Sequence, residues 1–464
     1  MQKKSVKVIG GGLAGSEAAF WLAERGIPVK LYEMRPVQKT EAHETDRLAE
    51  LVCSNSFKSL NLATAPGILK REMEMLGSLS IRAARDAAIG AGEALAVDRV
   101  KFSEYITNAI STHPLITISR EEILSLPDDP TDFTILATGP LTSASLSESL
   151  RKVTGEGNFY FYDAISPIVD TSSVNFEKVF EANRYGKQTR SLENTEPASD
   201  SGDYLNCPLN KEEYDNFISL LLSSERVEAK SFERMKHFEG CMPIEEMADR
   251  GHETLRHGPM KPVGLDDPRT GRYPYAVVQL RPENKSKTAY NIVGFQTKLK
   301  YGEQTKVFRT IPGLENAEFL RLGSMHRNSF VDAPRVLLPD LSLKNARHVI
   351  LAGQITGVEG YMESAATGMM AALFMAARLE NRPVPCPPAA TALGALLGHV
   401  GNTRNMDYQP SGINFSLFEE SNFPEVLAEL QLKYKKKIPK AEKREMIGHA
   451  CLKNATPFAE RVAL

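Results

Sequence analysis

Apolar residues along the chain form short runs typical of strands and longer stripes typical of helices. Residues 5–9 are a short apolar run that ends in three glycines. From Leu13 to Arg25, side chains suited to a buried helix face recur at three- and four-residue steps. Gly26 stands where helices commonly end, and residues 27–32 again have strand composition. The pattern predicts a strand, a helix and a second strand, the opening of an α/β fold.

Two later apolar runs, residues 133–138 and 348–352, also run into glycines, and the second leads into a helical stretch through Met375. Residues 160–320 have a different residue pattern, in which aromatic strand candidates at 273–280 and 290–296 are mixed with charged helical segments. We therefore predict a discontinuous α/β domain, residues 1–160 and 325–464, and an inserted α+β domain, residues 161–324.

Three segments have the composition of connectors or surface. Residues 191–202 are polar, lack periodicity and contain a proline, which predicts an exposed loop. Residues 380–412 carry five prolines and several glycines and predict a connector. Residues 433–444 form the densest basic run, either a phosphate-binding surface or a solvated helix face.

Composition excludes several classes of protein. The 464 residues exceed what one hydrophobic core usually serves, and 42% hydrophobic with 25% charged residues is typical of a globular protein. Lys and Arg number 56 against 58 Asp and Glu, so the net charge of −2 excludes a histone-like protein and leaves only local basic patches for nucleic acid. The chain has no run of eighteen apolar residues, and a strand that starts within five residues leaves no room for a signal peptide. Five cysteines without CxxC spacing favour a reducing compartment, and we expect a cytoplasmic protein with no membrane contact.

The strongest local motif is Gly10-x-Gly12-x-x-Gly15, between the first strand and the first helix. In a dinucleotide site the first glycine permits a tight turn, the second lets backbone approach a pyrophosphate, and the third lets the helix pack on the sheet. Glu33 closes the second strand, at the distance expected for an acid that binds ribose hydroxyls. The motif predicts a dinucleotide site, and the alternative is a glycine-rich turn without a ligand.

Two later turns favour FAD over NAD as that dinucleotide. Residues 137–139 resemble the second nucleotide-proximal turn of two-dinucleotide-type flavoproteins, and residues 351–354 resemble their C-terminal flavin contact. FAD is long enough to need both halves of a discontinuous domain, whereas NAD usually needs one contiguous unit. The alternative is that both are ordinary turns of a doubly wound sheet.

Two of the cysteines stand in unusual surroundings. Cys53 is followed by three small polar residues, a pattern typical of a loop or helix start, where the pKa of a thiol can be lowered. The alternative is a buried structural cysteine, the commoner fate of an unbridged thiol. Cys241 follows a glycine and stands two residues before a proline, which indicates a bend. For Cys207, Cys386 and Cys451 we expect packing or no role.

Two further segments contain candidate ligand-binding residues. Gly357 and Gly360 would let backbone come close to a flat ligand, and Tyr361 could stack on it, although a packed loop tyrosine has the same spacing. Residues 264–275 concentrate Asp, Arg and Tyr around turn residues, which suits either an anion-binding loop or a solvated surface loop.

Several segments together resemble one family. They are GGGLAGSEAA, YEMRP, AELVCSNSF, FEGCMPIEEMA, FVDAPRVL and AGQITGVEGYMESAATG, in the family's order and spacing. The family is the folate- and FAD-dependent tRNA uracil-5-methyltransferases, relatives of the glucose-inhibited-division tRNA modification flavoproteins. The resemblance thins after about residue 410, and it is specific because the two cysteine motifs are not general flavoprotein features. It implies a Rossmann-like, two-dinucleotide-type FAD-binding domain with an inserted α+β domain.

The implied activity is methylation of carbon 5 of a tRNA T-loop uridine, giving 5-methyluridine. Methylenetetrahydrofolate would supply the carbon, and FAD reduced by NADH or NADPH would supply electrons. A cysteine thiolate would add to carbon 6 of uracil and so activate carbon 5. The alternatives are the same chemistry on a ribosomal RNA uridine, or a flavin oxidoreductase that does not act on RNA.

The resemblance also implies roles for particular residues. Cys241 would be the thiolate that attacks uracil and Cys53 its partner, or the reverse. Tyr361 would stack folate against the flavin ring. The residues expected to hold FAD are Gly10, Gly11, Gly12, Leu13, Ala14, Gly15, Glu33, Arg35, Gly353 and Gln354. The candidates for phosphate contacts with tRNA are the run 433–444 together with Arg250, Arg256, Lys261, Arg269 and Arg272.

Overall fold

The computed structural model describes residues 5–40, 42–155, 159–164, 166–186, 202–227, 242–284, 286–323, 325–401, 408, 410–434 and 438–462, except for the side chains of 159–164 and 325–328. The strands in chain order are β1 Val6–Ile9, β2 Val29–Tyr32, β3 Ser56–Ser59, β4 Ala88–Ile89, β5 Ala94–Val97, β6 Ile116–Ser119, β7 Thr134–Leu136, β8 Phe159–Ala164, β9 Ile168–Asp170, β10 Phe180–Glu181, β11 Leu205–Leu209, β12 Ala276–Pro282, β13 Ala289–Ile292, β14 Phe319–Arg321, β15 Met325–Phe330, β16 Ser342–Leu343 and β17 Ala346–Leu351.

The helices in chain order are α1 Leu13–Glu24, α2 Ala65–Met75, α3 Leu79–Asp86, α4 Arg99–Ser111, α5 Ala144–Thr154, α6 Lys211–Ser223, α7 Ile244–Asp249, α8 Thr254–His257, α9 Tyr301–Phe308, α10 Ala333–Val336, α11 Tyr361–Leu379, α12 Ala392–Val400, α13 Pro424–Lys433 and α14 Lys440–Val462. A short 3-10 helix, Gly353–Thr356, precedes α11. In the part of the chain described, no helix is both long and apolar enough to cross a lipid bilayer.

The main sheet has the strand order β16-β17-β7-β1-β2-β6, and its strands are parallel except for β16. Val8 of β1 pairs with Leu31 on one side and Ile135 on the other, and Ile135 pairs in turn with Ile350. These four side chains are fully buried. Apolar runs of this kind are expected in a parallel sheet, whose two faces are both covered. The sheet confirms the predicted α/β class.

This strand order places four distant turns at one edge of the sheet. Parallel strands β1, β2, β7 and β17 are neighbours, so their carboxyl ends lie side by side. Crevices beyond these ends are the usual binding sites of open α/β sheets. The segments that follow them in sequence are those that begin at Gly10, Glu33, Ala137 and Ala352.

A second, antiparallel sheet has the order β10-β11-β12-β13-β9-β14, and residues of α6, α7 and α9 share its hydrophobic core. Two hydrophobic cores accompany the two sheets. One is built from residues between Val6 and Leu150 and between Phe330 and Val462, and the other from residues between Val169 and Ala317. The paired strands β8 and β15 lie where the chain passes between the cores. This separation supports our proposed division into 1–160 with 325–464 and an insertion at 161–324.

The structure changes two details of the predicted elements. The connector prediction is wrong for residues 392–400, which form helix α12. Thr391 caps this helix at the Gly394 N–H, the buried Glu72 carboxylate accepts the Ala392 and Leu393 N–H groups, and Leu393 and Leu396 pack into the core. The strand predicted at 273–280 begins at Ala276 instead. The loop predicted at 191–202 lies outside the described residues up to position 201.

Candidate active site

A cleft lies along the carboxyl ends of β1, β2, β7 and β17. Its empty space is about 1000 Å³, a volume that includes open solvent at the mouth. The wall residues that come from the predicted motifs are Gly10, Gly11, Gly12, Leu13, Ala14, Glu33, Arg35, Gly353, Gln354 and Tyr361. Residues 137–143 complete one side. The sheet therefore brings together turns that are more than 300 positions apart in the sequence.

The three motif glycines differ in what surrounds them. Gly10 has a φ of +104°, and a Cβ there would lie 2.4 Å from the Ala137 carbonyl oxygen, so only glycine fits the turn. A Cβ on Gly15 would lie 1.8 Å from the Gly10 carbonyl oxygen, because α1 packs directly on β1. A Cβ on Gly12, by contrast, would have no atom within 4 Å and would project into the open cleft. The three positions thus match the three requirements of a dinucleotide turn, namely a tight turn at Gly10, room for a pyrophosphate at Gly12 and close helix packing at Gly15.

Glu33 is fixed as a buried carboxylate beside the glycine turn. Its Oε2 accepts the Gly11 N–H at 2.9 Å, and its Oε1 accepts the Arg35 N–H and Nε, each at 3.0 Å. Burial raises the pKa of Glu33, but the hydrogen bonds and charge of Arg35 and the Gly11 amide outweigh it and leave the pKa below its usual value. Glu33 is therefore ionised at neutral pH and can accept hydrogen bonds from ribose hydroxyls.

Arg35 lines the cleft, and hydrogen bonds to other protein groups fix its side chain. In addition to Glu33, its Nη1 donates to the Thr45 carbonyl at 3.0 Å and to Glu50 Oε2 at 3.1 Å. Nearby His43 has its pKa lowered to about 4 by burial and then by the charge of Arg35. Arg35 thus orders the loop that follows β2, and this network favours a positioning role over direct contact with FAD.

Gly353 closes the opposite wall of the cleft against the first helix. A Cβ on Gly353 would lie 2.8 Å from the Ala14 Cβ, and one on Gly368 in α11 would lie 2.2 Å from the Ala14 carbonyl oxygen. Helix α11 therefore packs closely on the N-terminal end of α1. The N-terminus of α1 and the Gly353–Gln354 turn consequently face the same space.

Cys53 and Tyr361 meet at one end of this cleft. The Tyr361 hydroxyl oxygen accepts the backbone N–H of Cys53 at 2.9 Å and that of Ser54 at 3.2 Å, and it lies 3.1 Å from Cys53 Sγ. Both side chains are half-buried, and the Tyr361 ring packs edge-on against Phe57. Cys53 is thus half-buried, unlike the fully buried thiols of the core, and its thiol lies next to a tyrosine of the cleft wall.

Three arginines hold the loop that carries Cys53. Arg99, at the start of α4, donates to the carbonyls of Leu51 at 2.5 Å and Cys53 at 3.4 Å. Arg321, at the end of β14, donates to the Val52 carbonyl at 3.0 Å. Arg281 of β12 donates to Ser54 Oγ and Asn55 Oδ1, each at 2.8 Å. Arg281 and Arg321 come from strands of the second sheet and Arg99 from a helix of the first core, so both parts of the chain fix the position of Cys53.

The carboxylate of Glu283 completes this arrangement through a salt bridge to Arg99. Both groups are largely buried, and although burial lowers the pKa of Arg99, the charge of Glu283 raises it above its usual value. Burial lowers the pKa of Arg281. Sequence reasoning missed Arg99, Arg281, Glu283 and Arg321. No local motif marks them, since the three arginines act on a loop between 46 and 269 positions away and Glu283 acts through Arg99.

The second predicted thiol, Cys241, lies outside the described residues. The segment directly after it is described, and an open groove there is lined by Met242, Met247, Arg250, Gly251, His252, Glu253, Thr254, His257 and Gly258. Among the other cysteines, Cys207 and Cys451 are fully buried, and burial raises their pKa. Cys386 is exposed, yet its partial burial also raises its pKa. These three thiols have environments that disfavour the thiolate.

The basic residues proposed for RNA contact fall into two groups. Within the described ranges, Arg250 and Arg272 are exposed and form no ion pair. Arg256 is paired with Glu253 and stacks 3.6 Å from the Tyr275 ring centre, and Arg269 is paired with Asp267. In the C-terminal run, three described residues are similarly engaged: Lys433 pairs with Glu442, Lys443 pairs with Glu420 and Arg444 stacks on Phe415.

The glycines around Tyr361 serve internal packing. A Cβ on Gly357 would lie 2.6 Å from the Tyr408 ring, and one on Gly360 would lie 2.1 Å from the Glu363 carboxylate. These contacts give an internal reason for glycine at both positions, and the close approach of a flat ligand stays a prediction. The two glycines set the entry into α11 and thereby the position of Tyr361.

Comparison with known proteins relates the whole chain to one family. The family model of glucose inhibited division protein A matches residues 5–383. A protein of Desulfitobacterium hafniense named methylenetetrahydrofolate–tRNA-(uracil-5-)-methyltransferase TrmFO is 54% identical over 413 residues, which cover 89% of this chain and 91% of that protein. A protein of the same name from Pelobacter propionicus is 49% identical over 462 residues, covering 99% and 96% of the two chains.

Solved structures give the same relationship at the level of the fold. Aquifex aeolicus GidA, in its form I crystal, aligns with a TM-score of 0.66 and covers 99% of this chain and 89% of its own. Its form II crystal aligns with a TM-score of 0.65. Sequence identity is 16% in both alignments, so these structures support the fold alone.

Proposed function

This chain belongs to the glucose inhibited division protein A family and, within it, to the methylenetetrahydrofolate–tRNA-(uracil-5-)-methyltransferases, and on that premise we propose that it methylates carbon 5 of a tRNA T-loop uridine. The product is 5-methyluridine, and methylenetetrahydrofolate is the carbon donor. The electron donor is NADH or NADPH, and the compartment is the cytoplasm, where thiols stay reduced.

The cleft residues fit FAD. The open space beyond Gly12 suits a pyrophosphate that lies close to the backbone, and the N-terminus of α1 suits its negative charge. The ionised Glu33 suits the ribose hydroxyls. Gly10, Gly11, Leu13, Ala14, Gly15, Gly353 and Gln354 form or support the same walls, and Arg35 supports Glu33. A methylene group is two electrons more oxidised than a methyl group, and FAD when reduced supplies that two-electron chemistry.

The thiols perform the part of the reaction that occurs on uracil. Carbon 5 of uracil is a weak nucleophile until a thiolate adds to carbon 6, which places the electron pair of the ring double bond in an enolate. Once carbon 5 has formed its new bond, its proton must leave and the sulfur–carbon bond must break. We assign the addition to Cys241 and the carbon-5 proton to Cys53, and the exchanged assignment is tested in the Discussion.

One observation carries this function: a cysteine held beside the wall of a dinucleotide cleft. Cys53 Sγ lies 3.1 Å from Tyr361, which lines the same cleft as the glycine turn. Flavin oxidoreduction without covalent activation of a substrate needs no such thiol. Three arginines that fix the thiol's loop from both cores support a catalytic rather than a packing role.

Transfer of labelled carbon tests the proposed activity. With methylenetetrahydrofolate labelled in its methylene carbon, NADPH and tRNA lacking 5-methyluridine, we expect label in RNA, recovered as 5-methyluridine after nuclease digestion. Unmodified ribosomal RNA in a parallel reaction is the control for the substrate. Absence of label from both RNAs would contradict the methyltransferase assignment, and label in ribosomal RNA alone would contradict the tRNA assignment.

Reversing exposed basic residues should weaken RNA binding without affecting FAD. Arg250→Glu with Arg272→Glu removes two cations that have no ion-pair partner among the described residues, whereas Arg269→Glu removes one that already pairs with Asp267. Each lost phosphate contact should reduce the slope of log affinity against log salt by roughly 0.7–0.9. The measurement is tRNA binding at several salt concentrations, with the flavin absorbance as a check on the cleft.

Lys101 provides the matched charge reversal, because it is exposed on α4, a helix that packs into the other of the two hydrophobic cores. Lys101→Glu changes the net charge in the same direction and should leave the salt dependence close to that of the wild type. Equal effects of all reversals would indicate only a general charge effect, and no effect of Arg250→Glu with Arg272→Glu would exclude this surface from the RNA contact.

A further inference from the structure

The hydroxyl of Tyr361 can donate one hydrogen bond, and the atom that accepts its proton follows from the contacts of the hydroxyl oxygen. A hydroxyl oxygen offers two lone pairs and one proton. The N–H groups of Cys53 and Ser54 point at this oxygen at 2.9 and 3.2 Å and occupy both lone pairs. Among the described residues the remaining contact of the oxygen is Cys53 Sγ at 3.1 Å. The proton is therefore directed at sulfur, and Tyr361 is the donor in that contact.

Tyr361 keeps this proton at any pH at which the enzyme works. Burial raises the pKa of Tyr361 well above its usual value, and the adjacent Cys53 raises it further. A thiolate is a stronger acceptor than a thiol, because hydrogen bonds to charged acceptors are roughly twice as strong as those between neutral groups. The contact therefore stabilises Cys53 more when Cys53 is ionised.

The charged groups around the Cys53 loop act in the same direction. Arg99 faces it from α4, Arg281 from β12 and Arg321 from β14. The carboxylates that accompany them are Glu283, paired with Arg99, and Glu44, 3.7 Å from Arg321. Three cations against two carboxylates leave a positive balance, and Cys53 in turn raises the pKa of both Arg99 and Arg281. These charges favour a thiolate at Cys53, but they act on the whole loop and not on the sulfur alone.

We propose that Tyr361 is a positioning residue for Cys53, which donates its hydroxyl proton to Cys53 Sγ and stabilises the thiolate. The inference rests on the proposed function, in which Cys53 takes part as a base or nucleophile. It assigns the Tyr361 hydroxyl a task distinct from ring stacking on folate. It also explains why the thiol's loop is bonded to the first residue of α11: the same hydroxyl fixes the backbone at 53 and 54 and orients the sulfur.

The thiol titration of Cys53 tests this role directly. In the FAD-loaded protein, the pH dependence of iodoacetamide alkylation is followed on the tryptic peptide of residues 48–58, which contains Cys53 alone. In Tyr361→Phe we expect the apparent pKa of Cys53 to rise by about 1–2 units, as for loss of one hydrogen bond to a charged group. At pH values below both pKa values, alkylation should fall about 10- to 100-fold, and the two proteins should converge at high pH.

Tyr408→Phe is the matched control. Tyr408 is buried, its hydroxyl donates to the Thr356 carbonyl at 2.7 Å, and it contacts the Gly357 turn rather than Cys53. Its loss should leave the Cys53 titration unchanged. Flavin absorbance and thermal unfolding of both variants show whether each is folded.

Two results would overturn the proposal. One is a Cys53 titration in folded Tyr361→Phe that coincides with the wild type. The other needs no variant: a wild-type Cys53 that titrates at or above roughly 8.5, the value of an unperturbed thiol. Because the titration uses neither RNA nor folate, it succeeds or fails independently of methyl transfer. In the methylation assay Tyr361→Phe should lower kcat, move the acid limb of the pH profile upward and leave KM for tRNA unchanged.

Discussion

Replacing Gly12 by valine is expected to weaken FAD binding in a protein that still folds. The backbone of Gly12, with φ −73° and ψ −169°, is open to any residue, and a Cβ there would meet no protein atom within 4 Å. The valine side chain would instead occupy the space in which we place the pyrophosphate. Overpacking of this kind costs about 1–3 kcal/mol, so FAD binding should weaken by about 10- to 100-fold.

Two other glycines make this prediction specific. Gly398, exposed in α12 and with nothing within 4 Å of a Cβ, lies away from the cleft, and Gly398→Val should retain FAD. Gly15→Val should fail differently, since its Cβ would overlap the Gly10 carbonyl oxygen and the chain should unfold or lose much of its thermal stability. Flavin absorbance after gel filtration, together with thermal unfolding, distinguishes the three outcomes. Wild-type FAD affinity in Gly12→Val would place the cofactor elsewhere.

Alanine at either Cys53 or Cys241 should eliminate methyl transfer while FAD remains bound. Loss of a group that forms a covalent bond to substrate commonly lowers kcat by several orders of magnitude, so we expect a reduction of at least about 10³-fold for each. Cys386→Ala is the matched control, because this exposed thiol has a raised pKa and lies outside the cleft. Transfer of labelled carbon at the wild-type rate in either variant would remove that cysteine from the mechanism.

RNA that contains 5-fluorouridine separates the roles of the two thiols. Fluorine at carbon 5 cannot leave as a cation, so a thiolate that has added to carbon 6 stays bound to the base once carbon 5 has reacted. With all substrates present, we expect a denaturation-resistant protein–RNA complex from the wild type and its loss in Cys241→Ala. Loss of this complex in Cys53→Ala but not in Cys241→Ala would instead assign the addition to Cys53 and the carbon-5 proton to Cys241.

The sequence predicted those features whose residues are adjacent in the chain. The apolar run at 5–9, its three glycines and the following helix require only local geometry, and they appear as β1, a glycine at φ +104° and α1. Runs that end at Gly139 and Gly353 predicted two further strands of the same sheet. The prediction was wrong at α12 because a distant residue stabilises this helix: the buried Glu72 that caps it is 320 positions away.

The environment of Cys53 was decided by tertiary structure alone. Its neighbours come from α4, β12, β14 and α11, and Tyr361 reaches it across 308 positions of sequence. A short polar motif after a cysteine is compatible with a core thiol or a reactive one, since the state of a thiol depends on nearby charges and donors. The sequence by itself thus determined a dinucleotide turn and two candidate thiols. Only the packing of one core against the other determined that the Cys53 thiol lies beside a tyrosine of the cleft wall, within a loop held by three arginines.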